Sequence, residues 1–162
     1  MKCVVLQPAY LPWRGYFHQI QKADLFVFYD DVQYVKRDWQ NRNRVKTERG
    51  TAWLTVPVLG KGSQARGTPI CEVAINPTER WAAKHLGTIE QSYRRAPYFD
   101  RYIPMVRSFY EDPPDLLADF TIDTTVILAR ELGLDTEFVR SSTLPASGTR
   151  TARLLSILTH VG

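Results

Sequence analysis

Two short apolar runs, Lys2 to Gln7 and Leu25 to Tyr29, constrain the fold of this chain more than any other feature. Each is long enough for a buried strand and too short for a helix. Pro8 ends the first run, Pro8 and Pro12 bracket a turn, and from Gly15 onward Tyr16, Phe17, Ile20 and Ala23 recur at the spacing of one helix face. Strand, Gly-containing loop, helix and strand within about thirty residues make a βαβ unit, with parallel strands and a right-handed crossover. The expected fold class is therefore α/β: a Rossmann-like domain with a mostly parallel sheet, an inserted β-hairpin from Val32 to Val58, and C-terminal helices. The site would lie at the C-terminal ends of the first two strands. The competing layout is α+β, with an antiparallel sheet and segregated helices, and would put Gln7 and Asp30 at opposite ends of the sheet.

Further along, Thr51 to Val58 reads as the second hairpin strand, with Lys46 to Gly50 as its turn, longer than the two-residue ideal. Gly60 to Pro69 reads as a flexible loop, either a lid over a site or a solvated turn. Ile70 to Ile75 alternates like a strand, and Asn76 to Glu79 supplies capping residues for a helix whose apolar face is Trp81, Ala82, Leu86, Ile89 and Tyr93. Helices are expected over Tyr98 to Tyr110 and Asp115 to Leu132, the latter closed by Gly133. A short strand over Asp135 to Arg140, a loop over Ser141 to Gly148 and an amphipathic helix over Thr149 to Val161 complete a single domain spanning 1–162. A domain of this size buries roughly 68–70% of its unfolded surface, so no disulfide is needed to hold it. Cys3 and Cys71 lack metal-site or redox-motif spacing and read as buried thiols of a reducing cytoplasm. No apolar run approaches the ~20 residues of a spanning helix, so neither membrane insertion nor secretion is expected.

The net charge of +4 sits in one segment, Lys36 to Arg49, where six basic residues face only Asp38 and Glu48. A concentrated basic patch among aromatics points to a small anionic ligand more than to bulk attraction. Within it, Trp39, Asn41 and Asn43 would share one face of an extended chain, and Gln40, Arg42 and Arg44 the other. The two arginines can each present a planar fork to phosphate, and Trp39 a surface for a base or sugar ring. Gln7, Tyr10, Arg14, Gly15, Tyr16 and His18 cluster where a strand opens into a helix, with Gly15 allowing close approach of a phosphate. Asp30 and Asp31 end the second strand, where a carboxylate can hold a ribose diol or an amine. One of the two would serve as a cap or as a partner for Lys36 or Arg37. The candidate catalytic residues are thus Asp30, Asp31 and His18, and the candidate binding residues Gln7, Tyr10, Arg14, Gly15, Tyr16, Trp39, Asn41, Arg42, Asn43 and Arg44. No metal ligands are assigned, and neither a cofactor nor an oligomeric state is specified. Spread of charge over several elements, usual in nucleic-acid grooves, is absent, which makes nucleic acid the lesser partner.

Several long motifs recur in one order: Gln7-Pro-x-Tyr-Leu-Pro-Trp-x-Gly-Tyr-Phe, Ala23-Asp-x-Phe-Val-Phe-Tyr-Asp-Asp-Val-Gln-Tyr, Trp39-Gln-Asn-Arg-Asn-Arg, Trp53-Leu-Thr-Val-Pro-Val and Tyr93-x-x-Ala-Pro-Tyr-Phe. In these the chain resembles the WbqC-like bacterial proteins over essentially its whole length. The resemblance implies a place in O-antigen or other surface-polysaccharide biosynthesis, in sugar or acyl modification, without naming the step; the arginine, tryptophan and aspartate residues above suggest a transferase or ligase moving an acyl or aminoacyl group onto the amine of a nucleotide-activated sugar, with a non-catalytic subunit of a polysaccharide assembly complex as an alternative. Members usually continue for some tens of residues beyond the position of Gly162. A weaker likeness, of fold alone, is to nucleotidyltransferases and pantothenate-synthetase-like ligases. Trp13-Arg-Gly-Tyr16 stands where those proteins carry His-x-Gly-His, so their adenylyl-transfer route is not implied.

Overall fold

The computed structural model describes residues 1–59 and 67–162. The loop expected over Gly60 to Pro69 therefore falls largely outside the described residues. Strands β1 (Cys3–Leu6), β2 (Leu25–Phe28) and β5 (Glu137–Arg140) form a three-stranded sheet in the order β1-β2-β5, with both pairings parallel. Helix α1 (Arg14–Lys22) joins β1 to β2. Leu6 pairs with Phe28, so Gln7 and Asp30 emerge at the same end of the sheet, which rules out the antiparallel layout. The protein is mixed α/β.

Alternation along the strands explains the layers. Phe26 and Phe28 are buried on one face with Tyr16 and Ile20 of α1 and Phe120 of α4 (Leu117–Glu131). Leu25 and Val27 point the other way and pack with Ile157 of α5 (Arg150–Val161). A strand covered on both faces reads as a continuous apolar run, and each such side chain contributes roughly 1.5–3 kcal/mol. The chain between β2 and β5 carries the remaining elements: the hairpin β3 (Arg42–Thr47) and β4 (Gly50–Thr55), and helices α2 (Trp81–Tyr93) and α3 (Phe99–Glu111) ahead of α4. Helix α4 ends as Gly133 suggested: Gly133 has φ +72°, its N–H donates to Arg130, and the N–H of Leu134 reaches back to Ala129.

Four expectations change. The hairpin covers 42–55 rather than Val32 to Val58, because side chains take the backbone groups ahead of it: Gln40 accepts from the Val35 N–H and Asp38 from the Trp39 N–H. Its turn is two residues, Glu48 and Arg49, with Thr47 facing Gly50 at φ +110°. Ile70–Glu72 is a single 3-10 turn rather than part of a strand, since the Ile70, Cys71 and Ile75 N–H groups go to Val32, Asp30 and Asp115. Asn76 closes a local turn, accepting from the Thr78 N–H and hydroxyl, and the helix starts later, at Trp81. Cys3 and Cys71 are free thiols, half-buried, and burial pushes both above the usual thiol range.

Candidate functional site

The first loop and the segment ahead of the hairpin are laced together. The Tyr10 N–H donates to the Trp39 carbonyl (2.9 Å), and Asn43 Nδ2 donates to the carbonyls of Leu11 (2.7 Å) and Tyr10 (3.3 Å). Gln40 Nε2 donates to Gln7 Oε1 (2.9 Å), while the Tyr16 hydroxyl donates to the Gln7 carbonyl (3.0 Å). Leu11 sits at φ +44°, a conformation that costs a non-glycine residue of order 1–3 kcal/mol and is held here through its own carbonyl. These bonds bring the two richest motifs of the sequence onto one surface.

Three tryptophans line up on that surface. Ring centroids lie 6.4 Å apart for Trp13 and Trp39, and 5.9 Å for Trp39 and Trp53; the three residues are 42–49% exposed. The strand period puts Arg42 and Arg44 on the Trp53 face, with guanidinium carbons 4.3 and 5.4 Å from its ring centroid. Among the described residues neither arginine pairs with a carboxylate. Trp13 and Trp39 form a wall between two grooves. On one side, about 340 Å³ opens at the end of β1, against Gln7, Ala9, Tyr16, Gln19, Tyr29 and Leu154. On the other, about 550 Å³ is bordered by Asn43, Arg44, Lys46 and Thr51.

Gly15 has a packing task. A Cβ there would come within 2.8 Å of Trp13 Nε1, so the glycine makes room for the indole. Gly15→Ala should therefore displace the Trp13 ring while costing no more than ~1 kcal/mol of stability, since helix propensity favours alanine. An unchanged tryptophan emission spectrum in the folded variant would contradict this.

Asp30 and Asp31 point into the protein rather than to Lys36 or Arg37. Because they follow the end of β2, they do not alternate, and both meet Ser141. Asp30 is 0% exposed. It accepts from Arg140 Nε (2.7 Å), the Ser142 N–H (2.9 Å) and Ser142 Oγ (2.9 Å), while Arg140 Nη1 bonds to Asp119 of α4. Burial works to lower the Arg140 guanidinium, and its bonds to Asp119 and Asp30 outweigh that and raise it. Asp31, 17% exposed at its side chain, pairs with Arg153 of α5. Burial first, then Asp31, pushes the neighbouring Tyr29 phenol up, with Arg153 opposing.

Tyr10 is a core residue: its hydroxyl meets His85 Nδ1 (2.9 Å) and the Tyr110 hydroxyl (2.7 Å), and burial raises its phenol far above the usual range. Tyr16 is 1% exposed and borders the β1 groove from beneath. Asn41 is buried, bonding the Val56 carbonyl through Nδ2 (2.9 Å). Arg14 and His18 are exposed on α1, where Gln19 rather than His18 lines a groove. Trp39, Arg42, Asn43 and Arg44 are thus gathered with Gln7 around the tryptophan wall, whereas Tyr10, Asn41 and Asp30 act from behind it. Trp13, Trp53, Gln19 and Lys46 join the site without having been singled out for it. Among the described residues no three His, Cys, Asp or Glu side chains group as metal ligands do, and no helix is long and apolar enough to cross a membrane.

Fold and site together define a mixed α/β protein whose tryptophan wall separates a largely apolar groove beside the C-terminal end of the first parallel strand, with Asp38 on its lining, from a basic groove along the hairpin. The chain belongs to the WbqC-like protein family, whose model matches residues 7–162. It is 36% identical over 157 residues to the uncharacterized protein Rv1507c of Mycobacterium tuberculosis (strain ATCC 25618 / H37Rv), an alignment covering 96% of this chain and 67% of that protein. No solved structure matches.

Proposed function

We propose that the cleft binds a nucleotide-activated sugar and that the protein acts on it as a transferase or amide-forming ligase, in bacterial surface-polysaccharide biosynthesis or a related route. The observation that carries this reading is the pair of unpaired guanidiniums lying over Trp53 at the end of the tryptophan row. Aromatic faces suit a base and a sugar, and two free arginine forks suit the diphosphate between them. The parallel strands, read as a Rossmann-like unit, favour ligands at their C-terminal ends. In the transfer, the sugar amine nitrogen attacks the acyl carbonyl, a C–N bond forms as the bond to the donor's leaving group breaks, and the amine gives up its proton. In this reading the carboxylate that orients the amine is Asp31, which accepts from Ser141 and pairs with Arg153 in the free protein, and His18, exposed on α1, is the spare acid or base.

A thermal-shift screen against nucleotide sugars, ATP and acyl-CoA tests the reading. A ligand at a hundred times its dissociation constant adds roughly 2.7 kcal/mol, which moves the midpoint of a domain this size by about 5–10 °C. A nucleotide sugar should produce such a shift, and the Arg42→Ala, Arg44→Ala double variant should lose it. A full shift in that variant removes the diphosphate clamp; stabilisation by ATP alone redirects the reading to an adenylating ligase. The tryptophan row favours one other reading, single-stranded nucleic acid stacked on its rings. Tight binding of an oligonucleotide with a steep salt slope would identify that case.

A further inference from the structure

A third cleft lies on the far side of Trp53, between β4 and the start of α2. It has a volume of about 740 Å³, and its lining includes Trp53, Glu79, Arg80, Trp81, Lys84 and His85. We propose that this cleft binds a free α-amino acid as its zwitterion, with the ammonium on Glu79, the carboxylate on Arg80 and Lys84, and the side chain between Trp53 and Trp81.

The charges carry the argument. One carboxylate and two cations line a single cleft, yet among the described residues none of the three joins an ion pair. Glu79 precedes the helix and accepts from Asn76 Nδ2 (3.3 Å), which holds it on the rim. Opposite charges held apart on one cleft match a ligand that carries both signs a short distance apart. His85, 4% exposed, adds no charge at neutral pH, because burial and the Lys84 ammonium lower its pKa to about 4. The walls are aromatic, with Trp81 itself buried against the His85, Tyr110 and Phe120 rings and therefore rigid. Trp53 is shared: Arg42 lies over its ring while the indole also borders this cleft. An amino acid bound here would sit one indole away from the diphosphate clamp, where the second reactant of an amide-forming reaction belongs. That role rests on the function proposed above; the binding does not.

The test follows tryptophan emission while each of the twenty amino acids is titrated to about 10 mM, well above the Kd of a typical substrate. At least one should bind saturably. Its deaminated acid and its decarboxylated amine should each bind about ten-fold more weakly or worse, since each leaves a charged side chain unpaired. Glu79→Gln should erase the preference for the amino acid over the deaminated acid, and Arg80→Ala, Lys84→Ala should weaken both; all these positions are exposed, so the variants fold. Failure of all twenty to bind, or equal affinity for either analogue, overturns the proposal. Amino-acid binding without any nucleotide-sugar shift would sink the nucleotide-sugar reading and leave this one standing, and the reverse result would do the opposite.

Discussion

Asp30→Ala should cost about 3–5 kcal/mol, one of the two largest effects expected of a change in this protein. The carboxylate is wholly enclosed and serves Arg140, Ser142 and Ser141, so its loss strands a half-buried guanidinium and several N–H and O–H donors. Asn is no rescue. One of its two polar atoms would be an NH₂ facing a donor from Arg140 or Ser142, and a donor cannot satisfy a donor. Removing a lesser partner, as in Ser142→Ala, should cost only about 1 kcal/mol. Denaturant melts of the three variants check the ranking, and an Asp30→Ala protein within 1 kcal/mol of the original would show that the network is ornamental. What the network ties together explains its weight. Asp30 follows the end of β2, Arg140 ends β5, Asp119 lies in α4 and, through Asp31 and Ser141, Arg153 in α5, so one cluster fixes the C-terminal rim of the sheet to helices on both of its faces.

This cluster shows where the sequence was readable and where it was not. The βαβ unit was legible because β2 is buried on both faces and α1 on one, and each burial pattern leaves its own period in the apolar residues. Gly133 was legible because a residue just past a helix that must adopt φ +72° is nearly always glycine. Asp30 and Asp31 stand out in the sequence as adjacent carboxylates after an apolar run, yet their partners lie over a hundred positions away, in Arg140, Ser141 and Arg153, and no local pattern couples such distant charges. Lys36 and Arg37 were attractive partners only because they are near in sequence.

The tryptophan row had a signal that a different turn length would have exposed. With Glu48 and Arg49 as a two-residue turn, Arg44 falls opposite Trp53, and Arg42 lies diagonally across on the same face. Assigning a longer turn leaves the register open and hides the pairing. Trp13 was hidden for another reason. Its neighbour Gly15 resembles a phosphate-binding glycine, and only the three-dimensional path of the indole shows what the missing Cβ makes room for. Asn41 and Asn43 alternate with the arginines as a binding strand would, but one is buried under Val56 and the other fastens the first loop; polar residues that brace a site look, in sequence, like residues that line it.

The second large effect is on pH dependence, through His85. The neutral imidazole accepts from the Tyr10 hydroxyl, which also meets Tyr110, in a pocket closed by Trp81 and Phe120. Burial, then the Lys84 ammonium, lowers its pKa from 6.5 to about 4, against a raising contribution from a hydrogen bond to the Thr55 backbone. Unfolded, the ring takes up its proton near pH 6.5; folded, it resists until about pH 4. Between those values the unfolded chain holds more protons, so stability rises with pH across the window and is lost as pH falls through it, by up to about 3 kcal/mol. Other carboxylates titrate near the lower end of this range, and comparison with His85→Gln separates them, because the amide can still accept from Tyr10 and cannot ionise. The stability of the original protein relative to that variant should be constant above pH 7 and decline steadily from about pH 6.5 to pH 4. Parallel curves over the whole range would mean that His85 is protonated in the folded protein at the same pH as in the unfolded one, and that the Tyr10, His85 and Tyr110 chain tolerates a charge its burial argues against.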